Sequence, residues 1–284
     1  IAFDMHEKAQ PDIEYEVLKE ELTKKFDLRN KDLLLSKEQA GDFIQIMKER
    51  SGILQEVSPG RYGFIHLTFK GYLAARNLTD LSDDSIEKLG NNLFKPEWKE
   101  VVLLTVTSLK RRAASNFIKD VFEKDQNGFQ NLILAGECLL VLSRDKIDER
   151  LYDNLVKEMS KVIAEDIPVK DRVAVGEILG WLGDTRDLKE FIPVAKGKYT
   201  LRRGEVDIKP FELGKYLVTN SWFEEFIKAG GYKNKNHWSK EGKKWLEEEK
   251  AEQPKLWNVR IWKCPNSPVV GVSWYEAYAF ARWL

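Results

Sequence analysis

Cysteine and histidine are scarce in this sequence of 284 residues, which contains two cysteines and three histidines. Cys138 lies in the apolar run LAGECLLVLS, which predicts a buried, reduced thiol, whereas Cys264 lies in the loop WKCPNSP. The sequence does not indicate a disulfide between them, and such low cysteine usage is typical of a reducing compartment, so we expect a cytoplasmic protein. His6, His66 and His237 show no CxxC, HExxH or HxxxH spacing, so we expect no metal site formed within this chain alone.

Long apolar runs and an excess of one charge are also absent. The chain has 46 basic and 46 acidic residues, and a net charge of zero argues against a dedicated nucleic-acid surface. No apolar run approaches the roughly 20 residues of a membrane span. The patterns GxxxxGK[ST], GxGxxG and GxSxG do not occur, which excludes the usual phosphate loops and the nucleophile elbow. We therefore expect no catalytic or cofactor-binding residue here, and neither nucleic acid nor a membrane as a partner.

The ends of the chain predict a piece of a longer protein, either internal or trimmed. Residues 1–4 hold no initiator Met and no basic segment before an apolar core, so we expect no signal peptide in this chain. Near the other end, Ser273 and Glu276 predict a capping box that starts a helix. Because only Glu276 and Arg282 are charged in that helix, we expect it to be buried. The helices, residues 195–220 or a partner should then cover its aromatic side chains: Trp274, Tyr278 and Trp283.

Before residue 80 the periodicity predicts two helices and a hairpin. One helix is expected within residues 11–30, and a second over Ser36–Arg50, with Ser36 as its N-cap. The second helix should bury Phe43, Ile44, Ile46 and Met47. Residues 53–65, with the turn Ser58-Pro59-Gly60, predict a β-hairpin. This order is the outline of a winged-helix unit, and the neutral charge favours a packing role over DNA binding.

Between residues 81 and 190 helical segments follow one another. They are expected over residues 96–113, 129–143, 148–165 and 169–184, with Gly183 as a stop. Successive elements lie about 20 residues apart, so a two-helix repeat would be about 40 residues long, in the range of HEAT-type solenoids. An irregular helical bundle with the same core is the alternative.

After residue 190 the composition changes, and seven of the nine tryptophans follow residue 220. Residues 194–213 predict a small antiparallel meander, and a helix should follow, with Ser221 and Glu224 as its capping box and Gly230 at its end. So many tryptophans exceed what a core of this size needs. We expect Trp238, Trp245 and Trp257 to line a ligand-binding cleft. The charged run 241–253 fits a solvated face, or alternatively a rim beside that cleft.

The first 80 residues resemble a known signalling family. The winged-helix to helical-domain junction of NACHT-type STAND ATPases carries a Phe-x-His-x-Ser/Thr-Phe motif, matched here by Phe64, His66, Thr68, Phe69, Tyr72, Leu73, Ala74 and Ala75. Lys70-Gly71 replaces the usual Gln-Glu pair. The resemblance implies an NTPase domain upstream in the same protein, and ATP or ADP with Mg is expected only there.

Residues 191–284 are similar to the N-terminal part of the formylglycine-generating-enzyme-like fold, which is related to C-type lectins. The residues that carry the resemblance include Asn220, Gly230, Gly231, Trp238, Trp245, Trp257, Ser273, Trp274, Ala277 and Trp283. That family contains copper-dependent oxidases, iron-dependent sulfoxide synthases and non-enzymatic ligand-binding domains. Its catalytic cysteines belong to the C-terminal half of the fold, so the resemblance implies ligand-binding ancestry and does not imply catalysis.

We therefore expect a mostly α protein followed by a small, partial α+β domain. The domains would be a winged-helix junction at 1–80, a HEAT-like helical array at 81–190 and a lectin-like sensor at 191–284. The chain would recognise a protein or small-molecule trigger, couple it to the upstream NTPase domain and self-associate. One alternative is a fragment of a formylglycine-family oxidase or iron enzyme, and a second is a helical scaffold for protein contacts.

Overall fold

Two units make up the chain, and a computed structural model describes its residues 1–80, 85–124, 129–202 and 204–284. The units are Ile1–Tyr152 and Asp153–Leu284. The predicted fold class is confirmed, since helices predominate and the sheets are small. No helix in the described ranges is both long and apolar enough to cross a membrane.

The first unit begins with helices around a three-stranded antiparallel sheet. Its elements are α1 (Ala2–Glu7), β1 (Asp12–Glu14), α2 (Tyr15–Asn30), α3 (Leu33–Ile46), β2 (Leu54–Ser58), β3 (Arg61–Phe64) and α4 (Leu67–Thr79). The predicted hairpin is confirmed as β2 and β3, and β1 pairs with the other side of β3. The buried core of this sheet and its helices consists of Leu18, Ile44, Leu54 and Tyr62.

Two details of α3 differ from the prediction. Its N-cap is Asp32, whose carboxylate accepts hydrogen bonds from the N–H groups of Leu34 and Leu35, so Ser36 is not the cap. Ser36 lies one turn into the helix, buried, and its hydroxyl donates to the carbonyl of Asp32. Only Ile44 of the four expected core residues is fully buried, and the side chains of Phe43 and Ile46 are exposed.

Helix α1 contacts the segment that precedes α6 through His6. Its Nε2 lies 3.0 Å from the carbonyl oxygen of Glu97, and its ring packs edge-on against Trp98 with centroids 4.6 Å apart. The Nδ1 atom is buried and has no hydrogen-bond partner among the described residues. Burial lowers the pKa of His6, and the nearby Lys70 ammonium acts in the same direction, against the opposing effects of Glu97 and Glu100.

The remaining helices of the first unit are α5 (Ser85–Leu89), α6 (Lys99–Ser108), α7 (Arg111–Glu123) and α8 (Gln130–Leu140). The single helix expected over 96–113 is wrong, because the backbone is extended at Leu109 and Lys110. The hydroxyls of Thr107 and Ser108 both donate to the carbonyl of Leu104, which competes with continuation of the helix. Cys138 is fully buried in α8, as predicted, and burial raises its pKa.

Helix α9 (Glu149–Val162) contains the boundary between the units. The second unit then holds α10 (Val169–Leu182), β4 (Phe191–Val194), β5 (Gly197–Leu201), β6 (Gly204–Ile208), β7 (Phe211–Gly214), α11 (Asn220–Lys228), α12 (Lys240–Glu249) and α13 (Trp274–Trp283). The backbone N–H of Gly183 donates to the carbonyl of Leu179, which confirms Gly183 as the stop of α10. A regular solenoid over α6–α10 stays a prediction.

The strands of the second unit do not form the predicted meander. β4 pairs with β7, and β5 pairs with β6. The result is two separate two-stranded antiparallel sheets, with β5 and β6 lying between β4 and β7 in the sequence. Most of their apolar side chains are exposed, among them Leu201 and Leu213. The core lies instead among α11, α12 and α13, and its buried residues are Trp222, Phe223, Phe226, Tyr232, Trp238, Leu246, Ala279 and Phe280.

Helix α13 is only partly buried, which corrects the expectation for its aromatic side chains. Trp283 packs against the core, but Trp274 is 66% exposed. The Trp274 ring stacks on that of Tyr278 with centroids 5.4 Å apart, and Tyr278 is itself half-buried. The helix therefore buries one face through Ala279 and Phe280 and presents an aromatic pair on another.

Candidate ligand-binding site

A pocket walled by two indoles lies beside the start of α11. Trp257 and Trp262 line it together with Asn220, Ser221, Glu224, Lys263 and Pro265, and its volume is about 210 Å³. Trp257 is half-buried, and Trp262 is 44% exposed. The pocket therefore combines two aromatic faces with one carboxylate and one ammonium group.

The loop that carries Trp262 is held in place by Asn220. The Nδ2 atom of this buried side chain donates to the carbonyl oxygens of Trp262 and Cys264, at 2.6 Å and 2.9 Å. The backbone N–H of Ser221 donates to the carbonyl of Pro265 at 2.8 Å. Asn220, expected from sequence as a structural residue of the motif, thus fixes one wall of the pocket.

The same loop contacts α10 on its other side. The backbone N–H of Asn266 donates to the carbonyl oxygen of Gly180 at 3.4 Å. A Cβ atom placed on Gly180 would lie only 2.4 Å from Sγ of Cys264, so the absence of a side chain at this position permits the close approach. We call residues 262–267 the relay loop, because they join the pocket to α10.

Thr219 is the N-cap of α11, which corrects the predicted capping box of Ser221 and Glu224. The hydroxyl of Thr219 accepts from the N–H of Trp222 at 3.3 Å. Glu224 takes no part in capping; the residue lines the pocket, and its carboxylate pairs with Lys228 at 2.9 Å. Gly230 has a φ of 78°, in the left-handed region, and follows the helix end as predicted.

The three tryptophans expected in a cleft occupy different places. Trp238 is 4% exposed and its indole N–H donates to the carbonyl of Gly231, so it is a core residue and its assignment to a cleft is wrong. Trp245 stacks on Trp238 with centroids 6.0 Å apart and belongs to the edge of the core. Only Trp257 lines the pocket described above. Ligand binding by these residues stays a prediction.

Sequence reasoning missed Trp262 and Lys263, the other aromatic wall and the ammonium group. Their stretch, WKCPNSP, was assigned only as a loop around a cysteine. The sequence did contain an indication of a binding site, because Trp262 and Lys263 lie just before Pro265 in a loop, and loops with rigid aromatic residues often bind ligands. Nothing local in the sequence, however, joins this loop to α11.

The capping box of α13 is confirmed and extends into the core. The hydroxyl of Ser273 accepts from the N–H of Glu276, and the Glu276 carboxylate accepts from the N–H of Ser273 at 2.7 Å. The same buried carboxylate accepts from the hydroxyl of Tyr232 at 2.5 Å. Burial and the adjoining carboxylate raise the pKa of Tyr232. Glu276 thereby links the start of α13 to the turn after α11.

The motif of the first unit is divided between surface and core: Ala74 and Ala75 are buried, whereas Thr68 and Leu73 are exposed. His66 immediately precedes α4 and is exposed, although its apolar sequence neighbours Phe64, Ile65 and Leu67 predict a half-buried histidine. Its ring lies 6.1 Å from that of Phe69, and both Phe69 and Tyr72 are exposed on α4. Lys70 of the same helix is buried instead, and its Nζ donates to the carbonyl of Gln10 at 3.3 Å.

Other candidate sites are less developed. Within the described ranges, no group of three His, Cys, Asp or Glu side chains is placed to hold a metal ion. The charged run forms α12, whose residues Gly242 and Leu246 are buried while Glu247, Glu248 and Glu249 are exposed. This arrangement fits a solvated face.

Two family models match the chain. Residues 1–78 match the winged helix-turn-helix domain C-terminal to NACHT, and residues 183–284 match the sulfatase-modifying factor enzyme 1-like domain. Both matches agree with the resemblances identified from sequence and with the fold of the corresponding segments.

Curated relatives match a short stretch only. Hercynine oxygenase of Mycolicibacterium thermoresistibile is 32% identical over 87 residues, and that of Mycolicibacterium smegmatis is 36% identical over 87 residues; each match covers 28% of this chain and 20% of the relative. Hercynine oxygenase of Mycobacterium tuberculosis is 32% identical over 90 residues, 28% of this chain and 21% of the relative. The chain thus spans about a fifth of the length of these relatives. It carries a winged-helix domain of the kind found C-terminal to NACHT, followed by a sulfatase-modifying factor enzyme 1-like domain.

Proposed function

We propose that this chain is a non-catalytic recognition and coupling segment of a NACHT-type signalling ATPase. The second unit binds a trigger, and the helices before it transmit binding to an NTPase domain upstream in the same protein. The co-occurrence of the two family matches in one chain supports this order of parts. ATP or ADP and Mg would belong to the NTPase domain, the whole protein would act in the cytoplasm, and self-association would accompany activation.

The relay loop is the observation that carries the proposal. It forms a wall of the pocket through Trp262 and Lys263, and it meets α10 through Cys264 and Asn266. A ligand that displaces Trp262 therefore acts on a segment already in contact with the last helix before the lectin-like region. Packed contacts of this kind shift between discrete arrangements and do not deform continuously.

Coupling also sets a thermodynamic requirement. A trigger changes the balance of two states only by the ratio of its affinities for them. To reverse a ratio of 1:99 the trigger must bind one state about 10⁴-fold more tightly than the other. The loop that forms one wall of the pocket also contacts α10, so a change in that contact would move the Trp262 indole and alter the affinity of the pocket for the trigger.

The test uses two matched tryptophan substitutions in the chain 1–284. We expect Trp262→Ala to increase amide hydrogen exchange over residues 177–183, because it removes the indole of the relay loop, the segment that contacts Gly180 through Cys264 and Asn266. Trp274→Ala, which removes an exposed indole outside the pocket, should leave that segment unchanged. In the full-length protein, Trp262→Ala should then alter nucleotide hydrolysis while Trp274→Ala should not. Equal exchange in α10 for both variants would contradict the coupling.

A second candidate function comes from the curated relatives. Their name, hercynine oxygenase, favours an oxidising enzyme of the same domain family. Such an activity needs donor groups that the described residues do not bring together, so other parts of the protein would have to supply them. Metal analysis of the full-length protein, followed by oxygen-consumption assays with hercynine, would separate this candidate from pure recognition.

A further inference from the structure

The size of the indole-walled pocket restricts its ligand. Its volume of about 210 Å³ lies below the roughly 300–1,000 Å³ of pockets that hold drug-sized ligands. Trp257 and Trp262 offer flat apolar faces, which favour a compact body with an aromatic or aliphatic surface. A ligand held wholly inside this pocket must therefore be small, and the polar groups in the lining indicate which charges suit it.

The start of α11 offers no free backbone N–H group to an anion. Helix starts commonly bind anions through unpaired N–H groups, but here the N–H groups of the first four helical residues all have acceptors. The acceptors are the carbonyls of Ser267, Pro265 and Thr219 and the hydroxyl of Thr219. Both Nδ2 hydrogens of Asn220 are used as well, on the relay loop.

The α11 side of the pocket is consequently rich in acceptors. Glu224 contributes a carboxylate, and the group that Asn220 still offers is its amide oxygen. The partner of Glu224 is Lys228, and both side chains of this pair are well exposed. Exposed pairs of this kind contribute little stability, so a ligand ammonium group can replace Lys228 beside the carboxylate.

Lys263 provides the opposite charge on the relay loop. Its side chain lines the pocket next to the Trp262 wall. A ligand with only an ammonium group would leave Lys263 without a counter-charge, and a ligand with only a carboxylate would leave Glu224 to its exposed pair with Lys228. A ligand with both charges satisfies both groups and keeps an overall charge of zero.

We infer that this pocket binds a small zwitterion of amino-acid type, with its ammonium group toward Glu224, its carboxylate toward Lys263 and its apolar body between the indoles. The inference rests on the proposed recognition function and names the chemical class of the trigger. An ammonium group near an indole face gains cation–π attraction as well.

A series of matched probes tests this ligand class on the chain 1–284. L-Phenylalanine carries both charges, phenethylamine lacks the carboxylate, 3-phenylpropionate lacks the ammonium group, and methyl β-D-glucopyranoside is neutral. Calorimetry should show that phenylalanine binds most tightly, with roughly tenfold or greater weakening on loss of either charge, as for a charged hydrogen bond. NMR of the indole N–H groups of Trp257 and Trp262 should place the probe in the pocket.

Variants assign each charge to its partner. Lys263→Met should abolish the preference for phenylalanine over phenethylamine. Glu224→Gln should abolish the preference for phenylalanine over 3-phenylpropionate. Lys228→Met should strengthen binding of both amines, because it removes the competitor for Glu224. Lys244→Met, on the exposed side of α12, is the control and should change nothing.

The outcomes separate the ligand class from the coupling. Equal affinity for all three phenyl probes, preference for the glucoside, or no binding of any probe would overturn the zwitterion. If phenylalanine binds as expected but exchange over 177–183 does not change, the ligand class stands and the coupling fails. If the glucoside binds and protects 177–183, the coupling stands and the zwitterion is wrong.

Discussion

The contact between Gly180 and Cys264 predicts that one substitution has opposite effects in two backgrounds. Gly180 lies inside α10, where replacing glycine by alanine ordinarily stabilises a helix by up to about 1 kcal/mol. Its added Cβ, however, would lie 2.4 Å from Sγ of Cys264. Since non-bonded heavy atoms prefer separations of roughly 3.5–4.0 Å, the relay loop or the thiol must move by about 1 Å or more.

The steric cost and the gain in helix stability together determine whether Gly180→Ala stabilises or destabilises the protein. Overpacking of this kind costs typically 1–3 kcal/mol, so Gly180→Ala alone should be neutral or destabilising by up to about 2 kcal/mol. In a Cys264→Ala background the sulfur is gone, and the same change should stabilise the second unit by about 0.5–1 kcal/mol. The double-mutant cycle should therefore give a coupling energy of about 1–3 kcal/mol.

Urea denaturation of the chain 1–284 measures these differences. Seven of the nine tryptophans follow residue 220, so indole fluorescence reports mainly on the second unit. Gly41→Ala in α3 is a control, because its Cβ would meet only the end of Lys19 at 3.7 Å and should fit in either background. Since Gly41 lies in the first unit, far-UV circular dichroism, which reports on the helices of both units, is recorded beside the fluorescence. The alternative is that the Cys264 side chain rotates about χ1 and relieves the steric overlap. Gly180→Ala would then change the free energy of unfolding equally in both backgrounds, which would refute a tight contact between the loop and the helix.

Two further predictions concern buried polar groups. Tyr232→Phe removes the donor to the buried Glu276 carboxylate and should cost about 1–3 kcal/mol in urea unfolding, whereas Tyr278→Phe should be nearly neutral. Because the folded pKa of Tyr232 is raised, wild-type stability should also fall as pH rises above about 10, and Tyr232→Phe should lack that fall. The folded pKa of His6 is lowered, so the first unit should lose stability as pH falls below about 6.5. His6→Gln should flatten this acid-side slope by comparison with His66→Gln, and an unchanged slope would contradict the role given to His6.

Features set by neighbours in the chain were predictable from sequence. The capping box of Ser273 and Glu276 depends on a spacing of three residues, and the turn at Gly60 depends on a local φ of 72°. The family resemblances were also visible, because they rest on ordered motifs. In each case the residues that make the feature lie within a few positions of one another or in a fixed order.

Features set by contacts across the fold were not predictable. The apolar pattern of α13 suggests burial on all sides, yet nothing in that pattern tells which indole meets the core and which, as for Trp274, stays exposed. The pairing of β4 with β7 likewise depends on partners 17 to 23 residues apart in sequence, whereas pairing between adjacent strands is the simpler expectation. Periodicity reports the local period of a segment and not the identity of its neighbour.

The N-cap of α11 is a local feature that the sequence alone did not determine, and it affects the candidate site directly. Thr219 and Ser221 are both good caps, and they lie only two residues apart. With Ser221 as the cap, Glu224 would bend back toward the backbone and close its own capping box. With Thr219 as the cap, which the structure has, Glu224 is a lining residue of the pocket and its carboxylate pairs with Lys228. The choice between two hydroxyls therefore determines whether the Glu224 carboxylate is held by the backbone or by an exposed pair with Lys228, and only the exposed pair leaves it available to a ligand in the pocket beside Trp257.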